Sequence, residues 1–141
     1  MQTIDFELYQ LSDLKDCAAA ILAQSQPKRK FLLFGTMGAG KTTLINYFCQ
    51  LLQVKDSSHS PTYTLVNSYL TRLNTIVYHL DLYRINKMDE AEYANIEECL
   101  FDENYCFIEW ADILADYQLP EVVKIYISSD QSEKRELKVE F

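Results

Sequence analysis

The chain contains three glycines, Gly35, Gly38 and Gly40, and all of them fall in one six-residue window. Average usage near 7% would scatter roughly ten through the turns and helix ends of a chain this long. Other turns must therefore be made with Asn, Asp, Ser and Pro, and glycine is kept where the backbone has to approach something closely. With the two residues that follow, the window reads Gly35-Thr36-Met37-Gly38-Ala39-Gly40-Lys41-Thr42, a full match to G-x-x-x-x-G-K-[ST]. In that motif the glycines let backbone N–H groups converge on phosphate oxygens, and the N-terminus of the following helix adds its partial positive charge. The lysine, here Lys41, reaches the β and γ phosphates, and the hydroxyl of Thr42 binds Mg²⁺. The motif needs a buried strand before it and a helix after it. Phe31 to Phe34 are wholly apolar, as in a strand buried on both faces, and Leu44, Ile45, Phe48, Leu51 and Leu52 recur at helical spacing.

The rest of the chain supplies strands and helices in a mixed order. Ile4, Phe6 and Leu8 alternate with polar residues and predict a strand, after which Ser12 is placed to cap a helix through Leu14, Ala18, Ile21 and Leu22. Pro27 and Lys28 to Lys30 read as a turn, and Val54 to Pro61 as a polar loop. Tyr63 to Leu70 and Thr75 to Leu82 read as an antiparallel hairpin around Arg72 to Asn74. Asn86 to Leu100 reads as an acidic helix, Cys106 to Ile108 as a buried strand, and Val122 to Ile127 and Leu137 to Phe141 as two further strands. No linker or repeat divides the 141 residues. The expectation is one α/β domain over residues 1–141, a phosphate-loop NTPase of three layers with a mixed parallel and antiparallel sheet. A chain of this size buries roughly two-thirds of its unfolded surface and needs no metal or disulfide staple.

Charge narrows the partners. Residues 1–60 carry six basic and five acidic groups, whereas residues 61–141 carry seven and sixteen. Between Lys87 and Lys124 there are eleven carboxylates and no basic residue. Such a surface repels phosphate backbones and suits a basic protein patch, so strong direct nucleic-acid binding through this half is not expected. Cys17, Cys49, Cys99 and Cys106 form no C-x-x-C pair or metal-ligand spacing, and Cys49 and Cys106 lie in apolar runs. They read as buried, reduced thiols in a reducing cytoplasm. The N-terminus lacks a basic start and a long apolar run, and no stretch approaches bilayer length, so neither a signal peptide nor membrane attachment is expected.

A nucleotide site needs carboxylates at neighbouring strand ends. Asp81 closes the run Ile76 to Leu80, and Glu109 follows Cys106 to Ile108 in the same way. Either one alone reads equally well as a surface carboxylate at a strand end. Asn86-Lys87-Met88-Asp89 spells the guanine-reading N-K-x-D, but it follows Asp81 by only five residues. With every glycine in the phosphate loop, the D-x-x-G that GTPases require cannot occur, and Asn86 reads instead as the cap of an acidic helix. A small kinase remains a rival, although its four arginines, Arg29, Arg72, Arg84 and Arg135, are scattered and no insertion is long enough for a lid.

Four segments in order resemble the TsaE family, the bacterial ATPase of tRNA threonylcarbamoyladenosine biosynthesis. They are Gly35 to Thr43, Ser60 to Val66 (SPTYTLV), His79 to Arg84 (HLDLYR) and Ile108-Glu109-Trp110. The resemblance implies ATP and Mg²⁺ as cofactors, with Thr36 to Thr43 around the phosphates. It also implies Thr42 and Glu109 at the metal, with Asp81 as the strand-end acid. Asp81 and Glu109 can exchange these roles, and Asp81, Glu109 and Lys41 are the candidate catalytic set. Ser60 to Thr62 match a switch-like loop in which Thr62 would sense the γ-phosphate. Trp110 matches a tryptophan beside the nucleotide, where a lone tryptophan otherwise reads as core. Arg135 matches a late arginine near the nucleotide, and Leu11 lies where the family's N-terminal segment approaches the base.

The resemblance also implies slow ATP hydrolysis in association with TsaB and TsaD, which transfer threonylcarbamoyl to the adenosine beside the anticodon, so that tRNA is met only indirectly. A nucleotide-dependent switch with incidental hydrolysis is the alternative reading. Two departures stand out. Thr36 replaces the family's usual Asp, and Ala94-Asn95 occupies a place where the family tends to carry glycine. Asparagine tolerates a left-handed turn there better than most residues.

Overall fold

The computed structural model describes residues 2–36, 38–55, 66–82, 90–114, 119, 121–129 and 134–141. The elements follow as β1 (Thr3–Leu8), α1 (Leu14–Ser25), β2 (Lys30–Gly35), α2 (Lys41–Leu51), β3 (Val66–Leu70), β4 (Ile76–Asp81), α3 (Glu90–Phe101), β5 (Tyr105–Glu109), β6 (Val122–Ser129) and β7 (Arg135–Glu140). The strands form one sheet in the order β1-β7-β6-β2-β5-β4-β3. β2 runs parallel to both β5 and β6, and β4 runs parallel to β5. β3, β7 and β1 pair antiparallel and extend the two edges. The mixed sheet and the three layers agree with the sequence expectation.

The layering follows from the alternation along the central strands. Phe31 and Leu33 of β2, with Phe107 of β5, face α1 and α2, whereas Leu32, Cys106 and Ile108 face α3. A strand whose successive side chains enter opposite cores must be apolar throughout, as β2 is from Phe31 onward. Phe48 of α2 packs on this face, with its ring centroid 5.6 Å from Phe31 and 4.8 Å from Phe107. Phe31 and Phe107 are themselves 5.0 Å apart. Aromatic pairs of this kind contribute about 0.5–1.5 kcal/mol each beyond buried area. They fix α2, and so its N-terminus, against the strands that carry the site.

Several local expectations differ from the structure. Ser12 does not cap α1; the chain makes a short 3-10 turn at Leu11–Asp13, and the Asp13 carboxylate accepts the backbone N–H groups of Tyr9 and Gln10 at 3.0 and 3.1 Å. Those bonds hold its pKa below the usual carboxylate range. Asn95 lies inside α3 rather than at a turn, so nothing at that place requires a left-handed residue. The hairpin is present with Leu70 opposite Ile76, while Tyr63 to Leu65 and Asn86 to Asp89 lie outside the described residues. Cys17, Cys99 and Cys106 are buried and Cys49 half-buried, all as free thiols. Burial raises the first two and Cys49 to about 11.

The largest departure is Lys30, which the sequence groups with a solvated turn. It opens β2 and is only 7% exposed. Its Nζ donates to Asp102 Oδ1 at 2.8 Å, to Cys99 O at 2.7 Å and to Asn104 O at 2.5 Å. Cys99 belongs to the last turn of α3, which has no basic residue of its own. Lys30 therefore supplies from β2 both a C-terminal cap and a charge that opposes the helix dipole.

Removing Lys30 leaves buried carbonyls without a donor. Lys30→Met is expected to destabilise the protein by about 2 kcal/mol in chemical denaturation at neutral pH. Although burial opposes its charge, the bonds from Lys30 and Asn104 hold Asp102 below the usual carboxylate range. That contribution is complete above its unfolded pKa near 4 and is lost as pH falls through the lower folded value. The difference between Lys30→Met and the wild type should therefore stay constant from neutrality down to about pH 4 and shrink below it.

Candidate functional site

Gly35 ends β2 against β6, and a Cβ there would lie 2.6 Å from the Ile127 carbonyl oxygen. The loop can leave the sheet at this point only with hydrogen in place of a side chain. Gly40 precedes α2 at φ +116°, a conformation L side chains rarely adopt. A side chain there would also press on Leu14 at 3.2 Å. The loop closes on itself through Ala39 N–H to Thr36 O at 3.1 Å, and α2 starts with Leu44 N–H to Gly40 O at 2.9 Å.

A cavity of about 310 Å³ opens over this loop. Gly38, Gly40, Lys41, Thr42 and Thr43 form its floor, and Asp81, Glu109 and Trp110 close it from the ends of β4 and β5. Leu11 and Arg135 enter from the opposite side, and Arg135 Nε donates to Ala39 O at 3.1 Å. Leu11 is 41% exposed, so an apolar surface faces the opening. Thr36 contributes its carbonyl rather than its side chain, and Ala39 lies buried behind the loop. Met37 and Thr62, with Ser60 and Pro61, lie outside the described residues.

Parallel pairing sets the carboxylates. Leu33 of β2 is in register with Glu109 of β5, and Glu109 with Asp81 of β4. Glu109 is 3% exposed, and its carboxylate is fully engaged. Thr42 Oγ1 donates to Oε1 at 2.8 Å, and His79 Nε2 lies 2.7 Å from Oε2. Burial alone would raise its pKa, but the bonds from His79 and Thr42 and the charges of His79 and Lys41 outweigh it. Glu109 is consequently held below the usual carboxylate range and stays ionised inside the protein.

Lys41 is 4% exposed. Its Nζ donates to Gly35 O and to Thr36 O, and it sits 3.5 Å from the centroid of the Trp110 ring. Loss of water lowers its pKa, while Glu109, Asp81 and Asp112 oppose that shift. Trp110 adopts φ +57°, an uncommon conformation for a bulky residue that turns the chain directly after β5. Such backbone strain gathers at binding sites, because there the geometry is worth its cost of about 1–3 kcal/mol.

Two oxygen donors, Thr42 and Glu109, already touch, and Asp81 lines the same cavity. Among the described residues no group of three His, Cys, Asp or Glu side chains is placed to hold a metal by itself. That donor set fits Mg²⁺ at a phosphate site, where one or two carboxylates suffice and phosphates and waters complete the shell. Of the residues named from the sequence, Leu11, Gly38, Gly40, Lys41, Thr42, Thr43, Asp81, Glu109, Trp110 and Arg135 line this one cavity. The structure adds His79, which the sequence reading did not assign. The available signal was alternation: residues 79 and 81 share a face of β4, so a histidine there stands beside the strand-end acid.

The parallel β6-β2-β5-β4 core with a glycine loop at the end of β2 defines a phosphate-loop nucleotide-binding fold. The solved crystal structure of Bacillus subtilis YdiB has the same fold, with a TM-score of 0.71 at 24% identity over 98% of this chain and 84% of that one. Residues 8–137 match the family model described as threonylcarbamoyl adenosine biosynthesis protein TsaE. The tRNA threonylcarbamoyladenosine biosynthesis protein TsaE of Rickettsia conorii is 35% identical over 122 residues, which is 83% of this chain and 67% of the relative. The protein of that name from Bacillus subtilis is 28% identical over 97% of this chain and 85% of its own length. The chain belongs to the TsaE family.

Trp110 is the sole tryptophan, so its emission reports the Lys41 contact. A cation this close to an indole face contributes about 0.5–2 kcal/mol. Lys41→Met is expected to change both the intensity and the wavelength of Trp110 emission in the ligand-free protein. An unchanged spectrum would show that the ammonium does not rest on the ring in solution.

Proposed function

We propose that this TsaE-family protein serves tRNA threonylcarbamoyladenosine biosynthesis as its ATP-binding, slowly hydrolysing, Mg²⁺-dependent component. It acts in the cytoplasm with TsaB and TsaD homologues and meets tRNA only through them. The observation that carries the reading is the convergence of Lys41, Thr42 and a buried, ionised Glu109 on one glycine loop. In described helices, no span is long and apolar enough to cross a membrane.

Lys41 exchanges its loop carbonyls for phosphate oxygens, and the loop amides with the α2 N-terminus take up the remaining charge. Thr42 and Glu109 are the residues that would hold Mg²⁺, which when bound neutralises charge developing on the transferred phosphoryl group. Asp81, in register with Glu109, orders water at the same edge. Trp110 and Leu11 provide apolar surface for the nucleotide, and Arg135 braces the loop through Ala39. A GTPase is disfavoured because no D-x-x-G exists in the chain and N-K-x-D follows Asp81 by only five residues, and ATP is the nucleotide that the family reading implies. A kinase is disfavoured because Arg135 is the one arginine among the described residues that lines the cavity.

The acidic stretch between Lys87 and Lys124 favours a protein partner and keeps the switch reading in play. Capture of TsaB and TsaD homologues in ATP and in ADP, alongside turnover with and without them, separates the two. Stimulated turnover supports the ATPase role, whereas ATP-dependent capture with unchanged turnover supports the switch. Failure to recover either partner with both nucleotides would sink the pathway assignment.

The loop residues also separate binding from turnover. Lys41→Ala removes charge-assisted bonds of about 2–3 kcal/mol and should weaken ATP binding roughly 30- to 150-fold by calorimetry. Glu109→Ala should spare binding far more than it spares phosphate release. Native ATP affinity in Lys41→Ala would show that the phosphates lie elsewhere.

A further inference from the structure

The geometry points to His79 as the positioning residue of Glu109, and this inference rests on the ATPase reading above. The Glu109 carboxylate sits between two donor-bearing side chains, His79 and Thr42, and a carboxylate accepts at both oxygens. His79 Nε2, 2.7 Å from Oε2, must then be the donor. The other oxygen takes the Thr42 hydroxyl at 2.8 Å. The two bonds fix the carboxylate plane, and with it the direction of the oxygen that faces the loop.

The strand register explains why a histidine is needed. Directly opposite Glu109 stands Asp81, and like charges at opposed positions repel. His79 lies one step back on the same face of β4, opposite Phe107. Its ring is mostly buried, with 13% of the side chain exposed. From there its Nε2 holds one Glu109 oxygen while Thr42 holds the other. Partners that orient a ligating carboxylate in this way typically affect metal affinity or activity by about 10- to 100-fold.

The inference is tested with Mn²⁺ as a spectroscopic substitute for Mg²⁺. Its affinity is measured by electron paramagnetic resonance in the presence of a nonhydrolysable ATP analogue, beside steady-state ATPase kinetics. His79→Leu should lower Mn²⁺ affinity and kcat by about 10- to 100-fold while leaving the ATP KM nearly unchanged. His79→Gln places an amide donor near the position of Nε2 and should restore most of both. Circular dichroism melts of the variants establish that each is folded.

The chain has two histidines, His59 and His79, so ring ¹⁵N spectra are readily assigned. The ligand-free wild type should show His79 protonated at Nε2. A bare Nε2, a Leu variant with wild-type Mn²⁺ affinity and kcat, or a Gln variant as impaired as Leu would each overturn the inference. A wild type that binds no ATP would instead overturn the ATPase reading, and the ¹⁵N signature would still decide whether His79 donates to Glu109.

Discussion

The parallel pairing of β2 with β5 and β6 is the constraint on which the rest of this protein depends. It requires strands that are apolar on both faces, and Phe31, Leu32, Leu33, Phe107 and Ile108 meet that demand. In return it fixes register: Leu33 with Glu109 on one side, Gly35 with Ile127 on the other. The first pairing sets a carboxylate beside the loop, and the second sets the point where the chain must leave the sheet without a side chain. Phe48 then ties α2 to the same strands through Phe31 and Phe107. Loop, helix and carboxylate are positioned by one packing arrangement rather than by separate ones.

Within that frame the site balances charges that would be costly singly. Lys41 and Glu109 are both almost fully buried, and each is shielded by groups the fold brings near it. Glu109 has His79 and Thr42; Lys41 has two loop carbonyls and the Trp110 face. The buried charges of the site are thus satisfied within the protein itself. Phosphate oxygens are better acceptors for an ammonium than carbonyls are, so under the proposed function a nucleotide replaces the Lys41 contacts with stronger ones.

Much of this was legible in the sequence because it rests on local patterns. The glycine loop, the apolar strand before it, the helical spacing after it and the carboxylates ending β4 and β5 all declare themselves within short windows. What stayed hidden depends on contacts far apart in the chain. Lys30 reads as one of three basic residues in a turn, and only the docking of α3 and the Asp102 to Asn104 corner buries it. His79 reads as one polar residue in an alternating strand until β5 arrives beside it. Ser12 reads as a cap because hydroxyls often cap, yet Asp13 binds the preceding amides more strongly as an anion. Asn95 reads as a turn by comparison with the family, although nothing in its own neighbours breaks a helix.

The remaining departure from the family, Thr36 in place of an acid, acquires a physical reading from the charges around Lys41. Among the described residues, the carboxylates acting on that ammonium are Glu109, Asp81 and Asp112, none of them from the loop. Thr36 meets Lys41 through its backbone carbonyl at 3.3 Å, a contact independent of the side chain it carries. An acid at position 36 would add a further negative charge to the glycine loop, close in sequence to Lys41. Its absence leaves the balance of Lys41 with the strand-end acids. The negative charge beside the loop therefore comes from Asp81 at the end of β4 and from Glu109 at the end of β5, the latter held by His79.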